Sequence, residues 1–305
     1  MNLNSKIYVA GHRGLVGSAL VRTLTEQGYT NLVLRTREEL DLMRKEKVWQ
    51  FFSEERPEYV FDCAAKVGGI MANSEQPVDF IFENLEVQNN LISMSFHFEV
   101  KKFLFLGSSC IYPRMAPQPI KEEYFMTGQL EPTNIAYATA KIAGIVMCQS
   151  YAKQYGSNFI SVMPTNLYGA NDNYDPQTSH VLPALLRKFH EAKVNKKKTV
   201  TLWGTGVALR EFLHVDDLAD ALVFLMENYD SPEVINVGSG QEVSIKELAR
   251  YIQEVVQFDG TILWDKTKPD GMPRKLLDSS KILGMGWKPK IDLSQGIQQT
   301  YEAYA

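Results

Sequence analysis

The sequence predicts an α/β protein, a doubly wound parallel Rossmann sheet with a smaller mixed α/β substrate-binding domain. Three observations predict it. Short apolar runs alternate with helical stretches through the first half of the 305 residues. Those runs are continuously apolar, as strands buried on both faces must be. The first run leads through Gly11, Gly14 and Gly17 straight into a helical pattern, the order in which a dinucleotide-binding unit begins.

Each element follows in turn. "KIYVAG" reads as the first strand, and "LVGSALVRTLTEQG" as an amphipathic helix closed by Gly28. "NLVLRT" is a second strand, "KEKVWQFFSEER" a helix and "YVFDCAA" a third strand. "VDFIFENLEVQNNLISMSFHFEV" is a long helix that leads to the strand "KKFLFLGSS". "AYATAKIAGIVMCQSYAKQYG" is a helix that leads to the strand "NFISVMPTN". The pattern then loosens. "YGANDNYDPQTSH" has loop composition, and Ser244 with Glu247 has the spacing of a capping box at a helix start. The tail "TKPDGMPRKLLDSSKILGMGWKP" is rich in Gly, Pro and charge. Residues 1–167, with a returning segment around 205–228, are expected to form the nucleotide-binding domain. Residues 168–204 and 229–305 are expected to form the substrate-binding domain.

Composition narrows the function classes. Hydrophobic residues make up 45% and charged residues 22%, ordinary for a globular protein. A net charge of −4 offers no electrostatic footprint for nucleic acid or an anionic membrane. The three cysteines are too few and too sparse for a disulfide framework, which points to a reducing compartment. The five histidines form no zinc-ligand spacing with them, so no metal is expected. No signal-peptide pattern opens the chain, and no apolar run approaches the roughly 18 residues of a membrane span. A cytoplasmic protein is expected.

The glycine spacing is G-x-x-G-x-x-G. Glycines there permit a tight turn, close approach of backbone to a pyrophosphate and close helix packing. The helix N-terminus then presents free N–H groups to the phosphates. An acid at the end of the second strand would meet a ribose 2′-hydroxyl. Here Arg35 and Arg37 stand instead, with Arg13 inside the glycine loop and Glu38 and Glu39 close behind. Guanidinium groups match a 2′-phosphate, which favours NADP(H). Solvated loop arginines are the alternative.

Tyr137 and Lys141 lie four apart in "YATAK", on one face of a helix. A lysine ammonium beside a tyrosine stabilises its phenolate and is expected to bring the phenol within reach of proton transfer near neutral pH. The apolar flanks argue against a chance surface pair. The fourth strand ends in "LGSSCIYP", which places Ser108, Ser109 and Cys110 side by side.

Together these residues resemble the extended short-chain dehydrogenase/reductase family, and within it a branch acting on GDP-sugars. "AGHRGLVGSAL", "LRTREELDL", "LGSSCIYP", "EPTNIAYATAKIAG", "MPTNLYG", "SHVLPALLRKFHEA" and "PDGMPRKLLD" carry the match over nearly the whole chain. The resemblance implies NADPH-dependent 3,5-epimerisation and 4-reduction of GDP-4-keto-6-deoxy-D-mannose to GDP-L-fucose. It implies a homodimer with a four-helix interface, built from the helix at Tyr137 and the long helix from Asp79. By resemblance the cofactor contacts are Gly11, His12, Arg13, Gly14, Leu15, Val16, Gly17, Arg35, Arg37, Leu106, Gly107, Ser109, Lys141, His180 and the run Pro164, Thr165, Asn166 and Leu167. Ser108 would hydrogen-bond the keto oxygen alongside Tyr137. Cys110 would be the base at carbons 3 and 5, and His180 the acid on the opposite face. Lys141, the oxidised nicotinamide or a protonated His180 could supply a cation that lowers the thiol pKa. Lys188, Trp203, Arg210 and Asp270 fall at substrate-contact positions. Lys188 stands where the family often has arginine, which keeps the charge but not the bidentate geometry. Other readings are a different nucleotide-sugar 4-epimerase or 4-ketoreductase, or a non-catalytic NADP(H)-sensing scaffold. The last predicts a broken Tyr–Lys pair.

Overall fold

The computed structural model describes residues 1–268 and 270–305. In chain order the Rossmann half contains β1 (Ile7–Ala10), α1 (Leu15–Glu26), β2 (Leu32–Val33), α2 (Lys45–Glu55) and β3 (Tyr59–Asp62). It continues with α3 (Ile70–Glu75), α4 (Pro77–His97), β4 (Lys102–Leu106), α5 (Ile135–Tyr155) and β5 (Phe159–Pro164). Then come β6 (Asn166–Tyr168), α6 (Val181–Val194), β7 (Thr199–Trp203), β8 (Leu209–His214) and α7 (Val215–Asn228). The chain closes with β9 (Val234–Val237), β10 (Glu242–Ser244), α8 (Ile245–Val256), β11 (Thr261–Asp265), β12 (Arg274–Lys275), α9 (Ser280–Gly284) and α10 (Leu293–Tyr304).

The main sheet runs β2-β1-β3-β4-β5-β9, all parallel. Side chains alternate between its faces, so each strand feeds two cores. Ile7, Val9, Phe61, Leu104 and Val162 pack with residues of α1 and α7 on one face. Tyr8, Val60, Phe103 and Phe105 pack with residues of α2, α4 and α5 on the other. Burying each large apolar side chain contributes about 1.5–3 kcal/mol, which is why both faces must be covered. A third core, around Leu186, Phe189, Leu248 and Ile252, joins α6, α8 and α10. In this part β8 lies between β10 and β12 and also pairs with β6, while β7 pairs with β11.

The expected capping box is present. Ser244 Oγ accepts the Glu247 N–H at 3.1 Å, and Glu247 accepts the Ser244 N–H at 2.9 Å. Several expectations are corrected. The second strand is only two residues long, because the polar run from Arg35 gives no further apolar face to pair. α3 was not foreseen, and β9, expected in the substrate part, is the sixth strand of the main sheet. Arg210 lies inside β8 rather than before it, and His214 caps the next helix, its Nδ1 accepting the Asp216 N–H at 3.3 Å. Among the described residues no helix is long and apolar enough to cross a membrane.

Candidate active site

Chain order puts β1 and β3 side by side while β2 lies outside them, so the sheet reverses direction of travel at β1/β3. Ligands of such sheets bind beyond the strand C-termini at that point. The loop Gly11–Gly14, the Leu106–Cys110 turn and Pro164–Leu167 all leave the same carboxyl edge.

The glycine loop is built for a close approach. Gly11 has φ +74°, and a Cβ there would lie 2.9 Å from the Ala64 backbone. A Cβ on Gly17 would lie 2.2 Å from the Gly11 carbonyl oxygen. Gly14 caps α1 in extended conformation without a side-chain hydrogen bond, and no acid occupies the first turn. That leaves the helix N-terminus positive, and Leu15 and Val16 pack down onto the first core. These residues fit a dinucleotide. Arg13 and Arg37 are exposed beside this loop, whereas Arg35 is committed. Arg35 pairs with Glu55, donates to the Leu34 carbonyl at 2.9 Å and lies over the Phe51 ring. His12 is partly buried, its Nδ1 without a partner among the described residues. Burial, then the Arg13 charge, holds its pKa below the ordinary value.

β4 delivers the reactive turn. Ser108 Oγ accepts the Cys110 N–H at 3.3 Å and so caps a short 3₁₀ turn over Ser109–Ile111. Gly107 is required there, since a Cβ would meet Met163 Cε at 2.3 Å. Ser109 and Cys110 are buried. Opposite the turn, α5 presents Tyr137 and Lys141. Lys141 is buried, donates to the Leu106 carbonyl at 2.8 Å and lies 6.0 Å from the centre of the Tyr137 ring.

The electrostatics differ from expectation in two places. Burial, and then the Cys110 charge, raises the Tyr137 pKa, while Ser108 pulls it down. Lys141 is not among the groups that lower it; its ammonium is turned to the Leu106 carbonyl and to the buried Asp62. Cys110 is likewise raised by burial, and the first cation opposing that rise is Lys275, ahead of Ser108 and Lys141. Lys275 was not foreseen as a site residue. Its only signal in the sequence is "PRK" after a Gly–Pro-rich stretch, and two residues are too few to show a strand period.

His180 begins α6 but its side chain makes no cap hydrogen bond. It is exposed to the cleft, and the surrounding walls, with the Lys275 charge, hold its pKa below the ordinary value. The loop before it rests on the loop after β3, where Gly69 donates to the Thr178 carbonyl at 2.8 Å. A Cβ on Gly69 would meet the Ser179 carbonyl at 2.7 Å. Thr165 and Asn166 bridge to β8, and Asn166 Nδ2 donates to the Glu211 carbonyl at 2.7 Å. Pro164 ends β5, and Leu167 packs beside the first core.

The proposed substrate contacts lie farther out. Trp203 is 54% exposed, so it is not core, and Lys188 and Lys268 lie over its ring at 5.9 and 5.5 Å. An exposed indole between two ammonium groups suits a base with a charged tail. Arg210 is half-buried and donates to its neighbour's carbonyl, Leu209, at 2.8 Å. Asp270 is occupied by the adjacent loop: it accepts the Thr205 N–H at 2.6 Å and the Thr205 hydroxyl at 2.7 Å. It therefore braces the loop between Trp203 and Arg210.

Comparison with known proteins agrees with this layout. GDP-L-fucose synthase 1 of Arabidopsis thaliana is 62% identical over 301 residues, covering 99% of this chain and 93% of that protein. The crystal structure of a GDP-6-OMe-4-keto-L-xylo-heptose reductase from C. jejuni superposes with TM-score 0.94 at 45% identity, covering 100% of this chain and 98% of that one. A GDP-L-fucose synthetase from Naegleria fowleri bound to NADP superposes with TM-score 0.93 at 31% identity, covering 100% of this chain and 93% of that one. The profile of the NAD dependent epimerase/dehydratase family matches residues 7–238, from β1 to the end of β9. With its glycine loop, Ser–Tyr–Lys set and switch-point crevice inside that match, the chain belongs to the NAD dependent epimerase/dehydratase family.

Proposed function

We propose that the protein converts GDP-4-keto-6-deoxy-D-mannose to GDP-L-fucose, by epimerisation at carbons 3 and 5 and NADPH-dependent reduction at carbon 4. The observation that carries this reading is the convergence of two sets of groups on one turn. Ser108, Tyr137 and Lys141 serve ketone reduction, and Cys110 lies in the same turn with His180 across the cleft. A ketoreductase alone needs only the first set. The 62% identity to GDP-L-fucose synthase 1 of Arabidopsis thaliana supports the same substrate.

Carbons 3 and 5 flank the ketone, so their protons are acidic. Cys110 removes each proton as a thiolate, and His180 returns one on the opposite face. Ser108 and Tyr137 hydrogen-bond the carbonyl oxygen, and Tyr137 protonates it as reduction proceeds. The cofactor, when bound, supplies the hydride for carbon 4. Gly11, Gly14 and Gly17 hold its diphosphate, and Arg13 and Arg37 meet the 2′-phosphate. Lys188, Trp203 and Arg210 hold the GDP portion of the substrate. A homodimer is part of this reading: Val78 and Phe82 on α4 and Val146 and Tyr155 on α5 are exposed apolar residues on the two helices of the expected interface. The substrate and cofactor place the enzyme in the cytoplasm.

The test is to incubate the protein with GDP-4-keto-6-deoxy-D-mannose and NADPH and to identify the sugar by NMR. GDP-L-fucose is the expected product. A 4-reduced sugar with carbons 3 and 5 unchanged would show a plain 4-reductase. No consumption of NADPH would leave a binding protein.

A further inference from the structure

We propose that Lys275 is the counter-cation that holds Cys110 as a thiolate. The case begins with the backbone. β12 is pinned on both sides: Lys275 stands opposite Arg210 of β8 in parallel register, and the next residues pair with the loop that continues from the Cys110 turn. In that loop Ile120 donates to the Leu276 carbonyl at 2.8 Å, and the Asp278 N–H donates to the Ile120 carbonyl at 2.8 Å. Gln118 also accepts the Leu276 N–H at 2.8 Å. A two-residue strand with little intrinsic stability is thereby fixed between the catalytic turn and β8.

Side-chain alternation then sets the direction. Arg274 turns to one face, where its guanidinium pairs with Glu242 at 2.7 Å. Lys275 must project from the other. It shares that face with Arg210, its cross-strand neighbour. Two cations side by side with poor access to water need an anion. Among the described residues the Lys275 ammonium makes no hydrogen bond or ion pair. The nearest carboxylate in its field, Glu211, spends its two oxygens on the N–H groups of Gly240 (2.7 Å) and Leu277 (3.1 Å).

The groups around the thiol complete the argument. From α5 come Tyr137 and Lys141, from the start of α6 His180, from the turn itself Ser108, and from β8 Arg210 and Glu211. Lys141 is already satisfied by the Leu106 carbonyl and Asp62, and His180 is held neutral by burial and by Lys275 itself. Cys110 is, in turn, the first charge that favours the Lys275 ammonium against its own burial. One lysine therefore does two things: it favours the thiolate and it disfavours a second positive charge on the imidazole. Of the cations the sequence offered for Cys110, neither Lys141 nor His180 fills the role as Lys275 does.

The importance of a Cys110 thiolate rests on the proposed epimerase reading, but the thiol's ionisation can be measured without it. The rate of Cys110 alkylation by iodoacetamide is followed by mass spectrometry from pH 5 to 10 in the full-length protein. Lys275→Met is expected to move the midpoint up by about one pH unit or more, a tenfold loss of thiolate at neutral pH. Lys275→Arg, which keeps the charge, should restore the midpoint to within about half a unit. NADPH binding reports the fold of each variant, and Lys275→Gln replaces the Met variant should that one not bind NADPH. An unchanged midpoint in the neutral variant overturns the proposal. So does an unchanged midpoint accompanied by a KM for the GDP-sugar raised tenfold, which would assign Lys275 to the substrate diphosphate. Failure of the epimerase reading shows separately, as deuterium exchange that survives in Cys110→Ser.

Discussion

Asp62 ends β3 beneath the reactive turn with 1% of its surface exposed. One carboxylate oxygen accepts the Ala64 N–H at 3.2 Å, and the other has no partner among the described residues. Burial pushes its pKa up to about 6, against the opposing pull of Lys141. The folded pKa is thus raised above the unfolded value. Such a group contributes stability below pH ~4, and that contribution is lost as pH rises through about 6. Asp62→Asn has no proton to lose. Relative to wild type, its unfolding free energy is expected to rise by about 3 kcal/mol between pH 3.5 and 7, read from urea melts at each pH. A difference that does not change with pH would show that Asp62 is ionised with a normal pKa. Residues of this kind were hidden in the sequence. Tyr137 and Lys141 were legible because helical spacing ties them together. Lys275 and Asp62 gain their roles from strand register and from neighbours far away in the chain, which spacing does not report.

Elements with a strong period were legible, and those shaped by tertiary contacts were not. α5 and α8 stand where apolar spacing, Gly156 and the capping box put them. β2 is shorter than its apolar run, and β12 arises only because β8 and the Ile120 loop hold it. The cofactor end follows the same rule. Three arginines look equivalent in the sequence, but Glu55 on α2 captures Arg35 and leaves Arg13 and Arg37 exposed. Arg37 lies 3.7 Å from Glu83 with 75% of its side chain exposed, a weak tie that a phosphate can replace. Replacing Arg13 and Arg37 together by Glu is expected to lower the ratio of kcat/KM for NADPH over NADH by at least about tenfold, or ~1.4 kcal/mol of discrimination. Arg35→Ala should act mainly on stability, by freeing Glu55. A preference that survives the double change but falls with Arg35→Ala would reverse these assignments.

At the scale of the whole molecule, the exposed apolar residues of α4 and α5 and the single active-site turn make separate demands. Phe82 and Val78 lie one helical turn apart on α4 at 54% and 71% exposure, a costly face to leave in water. Light scattering at micromolar concentration should give a dimer, and Phe82→Glu should give a monomer; a wild-type monomer would contradict the proposed interface. The central claim is that one turn runs two chemistries, with Cys110 moving protons on carbon and Tyr137 protonating the carbonyl oxygen. The most direct measurement is turnover of GDP-4-keto-6-deoxy-D-mannose with NADPH in deuterated water, with deuterium at carbons 3 and 5 read by NMR. Cys110→Ser is expected to lose incorporation at both carbons by a hundredfold or more while still reducing the unepimerised ketone. Tyr137→Phe should retain incorporation and lose reduction. Near wild-type incorporation in Cys110→Ser would contradict the account, because the base would then lie elsewhere in the cleft.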